Sequence, residues 1–229
     1  MEYTIIKIND RAIENINKTK ALLKDFNYID DIPFFDSNKS NAWDAISAMG
    51  IRNDVWSPYD GRTFPALPGE LGIWLSNINI FNYMISNNLP ELLVLEDDAI
   101  LYENFVENFN IVKKELPDNF DIFALGYPKE HNALDERTEL GLNYIHSAIN
   151  QYSNATGMLY SLKGAKKILK CLKRRGIEYT CDCFIFKLIQ ENNINGYSVI
   201  PKKINLIKHD VMQIPSLIDP DNLRNTDNT

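Results

Sequence analysis

The 229-residue chain has few cysteines and no long apolar run. Its three cysteines, Cys171, Cys181 and Cys183, match neither a zinc site nor a Cys-x-x-Cys redox motif. An odd count without a secretory signal predicts reduced thiols in the cytosol, packed as small apolar side chains. No apolar stretch approaches the ~20 residues that a membrane-spanning helix needs. The sequence therefore predicts a cytoplasmic protein.

Basic charge and phosphate-binding loops are also scarce. The chain has 24 Lys and Arg residues against 31 Asp and Glu residues, a net charge of −7, which argues against non-specific binding of nucleic acid. An alternative is another magnesium-dependent phosphoryl or nucleotidyl transferase, but the sequence has no Gly-x-x-x-x-Gly-Lys-Ser/Thr loop to support it. An acidic chain can still bind a phosphorylated ligand through a metal ion.

The chain does contain an alternation of apolar strands and amphipathic helices. Strands are predicted at residues 4–8, 92–95, 120–125, 155–162, 197–200 and 204–207, and helices at 42–49, 70–86, 103–116, 164–175 and 182–191, with another from an Asp10 cap to about Phe26. This order predicts one α/β domain over residues 1–218, with a mostly parallel mixed sheet flanked by helices. The polar residues 219–229 are predicted to form a disordered tail.

Three carboxylates follow the apolar strand at 92–95 in the segment LLVLEDDAI: Glu96, Asp97 and Asp98. Ligands of such sheets bind at the carboxyl ends of strands, and oxygen ligands suit Mg²⁺ or Mn²⁺ together with phosphate oxygens. The segment therefore predicts a divalent ion and an anionic ligand such as a nucleotide diphosphate. If the chain stays extended, Glu96 and Asp98 point to one face and Asp97 to the other. The alternative is a solvated acidic turn or a helix N-terminus.

Four segments, in order, resemble glycosyltransferase family 25, the lipopolysaccharide-type sugar transferases that are related to collagen galactosyltransferases. They are GELGIWLSNINIF from Gly69, LLVLEDDAIL from Leu92, ATGMLYSLKGAKKIL from Ala155 and IEYTCDCFI from Ile177. The resemblance covers roughly residues 68–190, and the opening IIKINDR is a degraded form of the family's Asp-Arg-Arg segment. Asn77 stands where the family usually has His.

The resemblance implies a GT-A fold and an inverting, metal-dependent transfer of galactose or glucose from a UDP-sugar to a saccharide acceptor. A lipid-linked acceptor would place the protein at the inner face of a membrane. The alternative is a catalytically inactive relative that binds a sugar nucleotide or a partner without turnover. Asn77 and the thinned opening segment are consistent with that alternative.

For the metal, the resemblance implies Asp98 and Glu96 as ligands, with His209 as a late ligand from near the C-terminus. Glu96 is also expected to reach the ribose or a bound water, and Asp97 to support the motif by hydrogen bonding. The alternative for His209 is an exposed surface histidine.

For the donor, Asp10 and Arg11 follow the first strand, where contacts with uridine or diphosphate are expected. Thr156 and Gly157 would let the backbone approach a sugar closely. The alternatives are helix capping for Asp10 and a plain strand beside a bulge for Thr156 and Gly157.

For the chemistry, the resemblance implies Asp182 as the general base, because an inverting transfer needs one base near the acceptor hydroxyl. Its apolar sequence neighbours could raise its pKa toward that task. Glu70 is expected to hydrogen-bond the donor sugar or the acceptor. The alternatives are an N-cap for Asp182 and a first-turn glutamate favoured by the helix dipole for Glu70.

Two further patterns have both a structural and a functional interpretation. The run KKILKCLKRR has six basic residues on one helix, which form either a solvated face or a patch for an anionic membrane surface. Aromatic residues around the proline-rich loop form either core or a platform for an acceptor sugar; they are Trp43, Trp56, Tyr59, Phe64 and Trp74.

Overall fold

A computed structural model describes residues 1–7, 12–35, 41–52, 68–126, 143–148, 156–200 and 203–208. The strands in these ranges are β1 (Glu2–Ile6), β2 (Asn27–Tyr28), β3 (Glu91–Glu96), β4 (Ile100–Leu101), β5 (Ile122–Ala124), β6 (Ile145–Ser147), β7 (Gly157–Ser161), β8 (Gly196–Val199) and β9 (Ile207–Lys208). The helices are α1 (Ile13–Leu22), α2 (Ala42–Ala48), α3 (Pro68–Ser86), α4 (Phe105–Lys113), α5 (Leu162–Arg175) and α6 (Cys181–Gln190).

Seven strands form one mixed sheet in the order β2-β1-β3-β7-β5-β8-β6. The pairs β1–β2, β1–β3 and β5–β8 are parallel, whereas β7 is antiparallel to β3 and β5, and β6 is antiparallel to β8. Five of these seven strands therefore run in one direction. The predicted α/β class with a mostly parallel mixed sheet is confirmed.

The sheet is covered on both faces, which explains why β3 reads as a continuous aliphatic run. Side chains alternate along the strand, so Leu92 and Val94 pack in one core cluster with buried residues of α2, α3, α5 and α6. Leu93 and Leu95 pack in a second cluster with buried residues of α1 and α4. By the same alternation, Glu96 at the end of β3 belongs to the face covered by α3 and α6.

A second, two-stranded sheet follows the acidic segment immediately. Strand β4 pairs antiparallel with β9, with Ile100 opposite Lys208 and Leu101 opposite Ile207. The last predicted strand, at 204–207, therefore begins only at Ile207, and the short strands β2, β4 and β6 were not predicted. None of the described helices combines the length and the apolar character that crossing a membrane would need.

The start of α5 packs tightly against Asp121, the residue before β5. The Ser161 hydroxyl oxygen accepts a hydrogen bond from the Gly164 amide at 3.0 Å and so caps the helix. A Cβ atom at Gly164 would lie 2.1 Å from the carbonyl oxygen of Asp121. Only a residue without a side chain lets the helix approach the strand this closely.

Gly164→Ala is therefore expected to lower the free energy of unfolding by about 2 kcal/mol or more, because the helix must shift off β5. Helix propensity alone predicts the opposite sign, a gain of about 1 kcal/mol. Urea denaturation measures the difference, with Lys166→Ala at an exposed position of the same helix as the control. A stability equal to or above that of the unmodified protein would contradict the packing argument.

Candidate functional site

The carboxyl ends of β1 and β3 meet the amino end of β7 at one edge of the sheet. Ile6 lies opposite Glu96 in the parallel pair, and Leu95 lies opposite Gly157 in the antiparallel pair. The Glu96 amide donates a hydrogen bond of 3.0 Å to the carbonyl of Thr156. Three of the predicted site residues, Glu96, Thr156 and Gly157, therefore lie together at this edge, which we call the candidate edge.

The chain turns directly after Glu96 instead of continuing as a strand. The Ala99 amide donates a hydrogen bond of 3.1 Å to the Glu96 carbonyl, which closes a turn through Asp97 and Asp98. Asp97 is only 4% exposed, whereas Glu96 and Asp98 are half-buried. The strict alternation expected of an extended chain does not apply beyond Glu96, because the strand ends there.

Helix α1 holds this turn in place through one side chain. The Asn15 amide nitrogen Nδ2 donates hydrogen bonds to the carbonyls of Asp97 at 2.8 Å and Ala99 at 2.9 Å. These two bonds fix the backbone on both sides of Asp98. Sequence reasoning missed Asn15, because a single asparagine on a polar helix carries no pattern.

Glu96 and Asp182 are both half-buried, and their charges act on the same two buried side chains, Cys181 and Tyr160. Burial raises the pKa of the Cys181 thiol well above its usual value, and the nearby charges of Asp182, Glu96 and Cys183 add to this. Burial likewise raises the pKa of Tyr160, with contributions from Cys181, Glu96 and Asp182. Burial therefore favours the protonated form of both side chains at neutral pH.

Asp182 lies in the first turn of α6 and is held there by local hydrogen bonds. Its Oδ1 accepts from the Cys183 amide at 2.8 Å and from the Thr180 hydroxyl at 2.7 Å. The N-cap position belongs to Thr180, so the alternative of Asp182 as the N-cap itself is not what the structure shows. These bonds fix the direction of the carboxylate relative to the helix.

Glu70 lies in the first turn of α3 and is only 4% exposed. The indole Nε1 of Trp74 donates a hydrogen bond of 2.8 Å to the Tyr179 carbonyl, two residues before α6, and the Trp74 ring packs on Phe184 with centroids 5.3 Å apart. The second turn of α3 is thereby joined to the start of α6. Helix N-termini favour negative charge, which suits Glu70 in the first turn of α3 and Asp182 in the first turn of α6.

Asn77, the departure from the family pattern, is buried in the interior. Its Nδ2 donates to the Ile73 carbonyl at 2.9 Å, and its Oδ1 accepts from the Tyr160 hydroxyl at 3.4 Å. Both polar atoms of the amide thus bond within the protein, one along α3 and one to β7. Asn77 links that helix to the sheet.

Packing within the protein explains why residue 157 is a glycine. A Cβ atom there would lie 2.4 Å from Cδ1 of Ile207 and 3.1 Å from Cδ2 of Leu95. The absent side chain makes room for β9 to pack against the sheet. Close approach of a sugar to Thr156 and Gly157 stays a prediction.

Several predicted residues lie outside the described ranges: Asp10, Arg11, His209, Trp56, Tyr59, Phe64 and the tail 219–229. Of the remaining aromatic candidates for an acceptor platform, Trp74 is fully buried and is therefore core. Trp43 is partly buried and packs against the same core cluster.

The described part of the chain has no group of three or more His, Cys, Asp or Glu side chains placed to hold a metal ion. Mg²⁺ usually takes only one or two protein carboxylates and completes its shell with substrate phosphates and water. Glu96 and Asp98 fit that smaller requirement, because both are half-buried oxygen donors at a strand end. They are the residues that would hold a divalent ion.

Comparison with known proteins gives a consistent result. The family model described as glycosyltransferase family 25 (LPS biosynthesis protein) matches residues 30–185. Procollagen galactosyltransferase 1 of Danio rerio is 33% identical over 129 residues, which cover 55% of this chain and 21% of the relative. Procollagen galactosyltransferase 1-B of Xenopus laevis is 29% identical over 180 residues, which cover 76% of this chain and 28% of the relative.

Not all similar proteins carry the name of an active enzyme. A probable inactive glycosyltransferase 25 family member 3 of Bos taurus is 31% identical over 115 residues, covering 49% of this chain and 19% of the relative. The chain thus spans less than a third of the length of these relatives. The match to the apo structure of mouse xyloside xylosyltransferase 1 covers 84% of this chain and 82% of that structure's chain, with a TM-score of 0.38 and 13% identity.

Proposed function

The chain belongs to glycosyltransferase family 25, and on that basis we propose that it transfers a hexose from a UDP-sugar to a saccharide acceptor with inversion at the anomeric carbon. Galactose is the first candidate, because similar proteins are named procollagen galactosyltransferases, and glucose is the second. A GT-A fold is part of the proposal. The observation that carries it is that Asp182 and Glu96, the residue at which the Asp97–Asp98 turn begins, both act on the buried side chains of Cys181 and Tyr160.

The acidic turn is proposed to bind the diphosphate end of the donor. Glu96 and Asp98 would hold a divalent ion, Mn²⁺ or Mg²⁺, which supplies positive charge to the departing diphosphate. Asp97 is buried, and Asn15 bonds to its carbonyl, so both support the shape of the turn. The N-terminus of α6, whose first residue Cys181 is affected by the charge of Glu96, adds a favourable dipole.

Asp182 is proposed as the general base. It would accept the proton of the acceptor hydroxyl while that oxygen bonds to the anomeric carbon and the bond from this carbon to the UDP oxygen breaks. The hydrogen bonds from Thr180 and Cys183 hold the carboxylate in one orientation for this task. Glu70, in the first turn of the adjacent helix, is proposed to hydrogen-bond the donor sugar or the acceptor.

A second candidate function is binding without turnover. Asn77 stands where the family usually has His, and its buried amide links α3 to β7 through the Ile73 carbonyl and the Tyr160 hydroxyl. One similar protein is named a probable inactive family member. The second candidate shares the nucleotide site of the first and lacks the transfer step.

For the acceptor, we propose only a chemical class. The matching family model carries the description of a lipopolysaccharide biosynthesis protein, which suggests a saccharide acceptor that is attached to lipid. A lipid-linked acceptor would require the protein to work at a membrane surface, on its cytoplasmic side.

Release of UDP from a panel of UDP-sugars, with Mn²⁺ and with a chelator, tests the proposed function. We expect one sugar, galactose or glucose, to be preferred, and we expect the chelator to abolish release. Binding of UDP in the presence of metal, without release from any donor even when saccharide acceptors are added, would favour the second candidate. The absence of both binding and release would contradict both candidates.

A further inference from the structure

Helix α5 differs from the rest of the chain in its balance of basic and acidic residues. It carries seven of the 24 basic residues and no acidic residue, so 17 basic residues stand against 31 acidic ones elsewhere. Such a distribution gives an acidic protein one strongly positive face. The effect of this face is local, because the remaining surface is negative on balance.

Two of the seven basic residues are paired within the protein. Lys167 forms an ion pair with the buried carboxylate of Asp121, and Arg175 forms ion pairs with Glu178 and Glu191. The other five are exposed and form no ion pair with any residue that the structure describes; they are Lys163, Lys166, Lys170, Lys173 and Arg174. We call these five residues the basic stripe.

The basic stripe lies along one side of the helix. At 3.6 residues per turn, its five members fall within an arc of about 100°. The opposite side of α5 is buried, with Ile168, Leu169 and Leu172 packed in the core cluster that also contains α3. The stripe is therefore a row of cations about 17 Å long on a helix that is backed by the core.

The chemistry of the stripe favours an anionic lipid surface over nucleic acid. Helix α5 has no aromatic side chain on which a base could stack. The rest of the chain would repel a polyanion that wraps around the protein, whereas a flat surface meets only one side of it. A planar array of anionic headgroups matches a straight row of lysines in both shape and charge.

We propose that α5 docks the protein on anionic membrane surfaces through the basic stripe, Lys163, Lys166, Lys170, Lys173 and Arg174. Contact is electrostatic, because the exposed side of the helix offers no apolar side chain for insertion. The docking does not depend on catalysis. Its benefit to catalysis rests on the proposed function. Residues 176–180 connect α5 to α6, so docking through α5 would also bring Asp182, in the first turn of α6, toward the membrane.

Sedimentation with vesicles of phosphatidylcholine, with and without phosphatidylglycerol, tests the proposal. We expect the protein to bind only the anionic vesicles and to be released by salt. Each basic residue near such a surface strengthens partition about fivefold, so Lys166→Gln/Lys170→Gln/Lys173→Gln should weaken binding about 100-fold. The matched control is Lys24→Gln/Lys114→Gln/Lys203→Gln, which removes three exposed lysines outside α5 and should change binding by no more than about twofold.

Equal loss in both triple variants would overturn the proposal, because the effect would then follow net charge. It would also fail if the unmodified protein bound no vesicle, or bound an oligonucleotide through the stripe and no vesicle. Circular dichroism confirms that each variant is folded. Transfer to a soluble saccharide acceptor, measured as release of UDP, should be unchanged in the stripe variant. Failure of docking and failure of the transferase proposal therefore give different results.

Discussion

Asp98→Asn is expected to lower the rate of UDP release from the preferred donor by about 10²- to 10³-fold, because the substitution removes a charge and keeps the shape. The side chain lies in the turn that Asn15 fixes on both sides, so a neutral amide there should leave the backbone in place. Binding of UDP with Mn²⁺, measured by calorimetry, should weaken as well. Steady-state release of UDP measures the loss of rate.

The matched control for this variant is Asp118→Asn, at an exposed aspartate after α4. It makes the same chemical change away from the candidate edge and should leave the rate within about twofold. Equal activity of Asp98→Asn and the unmodified protein would show that the acidic turn does not serve the donor diphosphate.

Asp182→Asn is expected to reduce kcat by about 10²- to 10⁴-fold, the usual contribution of a general base. Asparagine can still accept the bonds from the Thr180 hydroxyl and the Cys183 amide, so α6 should keep its start. Binding of UDP with metal should change little, which separates this variant from Asp98→Asn. Transfer to a saccharide acceptor and UDP binding are measured side by side.

The control for Asp182→Asn is Asp44→Asn, an exposed aspartate in the first turn of α2. Loss of a favourable helix-dipole contact is common to both substitutions, whereas only Asp182, together with Glu96, acts on the buried Cys181. A kcat that falls equally in both variants would assign the loss to helix stability. A kcat unchanged in Asp182→Asn would exclude it as the base.

The elements with strong periodicity could be predicted from the sequence. The apolar positions of α3 recur at intervals of three and four, and the aliphatic run of β3 is buried on both faces, so both elements occur where the pattern places them. The position of Glu96 at a carboxyl strand end followed from β3 alone. Its proximity to Asp182 could be expected only from the family resemblance, because 86 residues separate them.

The remaining features depend on tertiary contacts. The direction of β7 is set by its pairing with β3 and β5, and no residue in the strand signals it. Strands β4 and β9 have two residues each and exist because they pair with each other. Asn15 acts through hydrogen bonds to a turn more than 80 residues away, a role that its sequence context does not indicate.

The central place of β7 has a consequence for how the chain folds during synthesis. In the described sheet, β7 is the strand that joins β2-β1-β3 to β5-β8-β6, yet it is translated after both β3 and β5. Its partners in β3 lie more than 60 residues earlier, so a nascent chain that stops before Gly157 holds strands whose edges have no partner. Such unpaired edges are where partially made chains aggregate. The candidate edge is therefore completed only after β7 has been translated, and chains that stop before this strand should need chaperones to stay soluble.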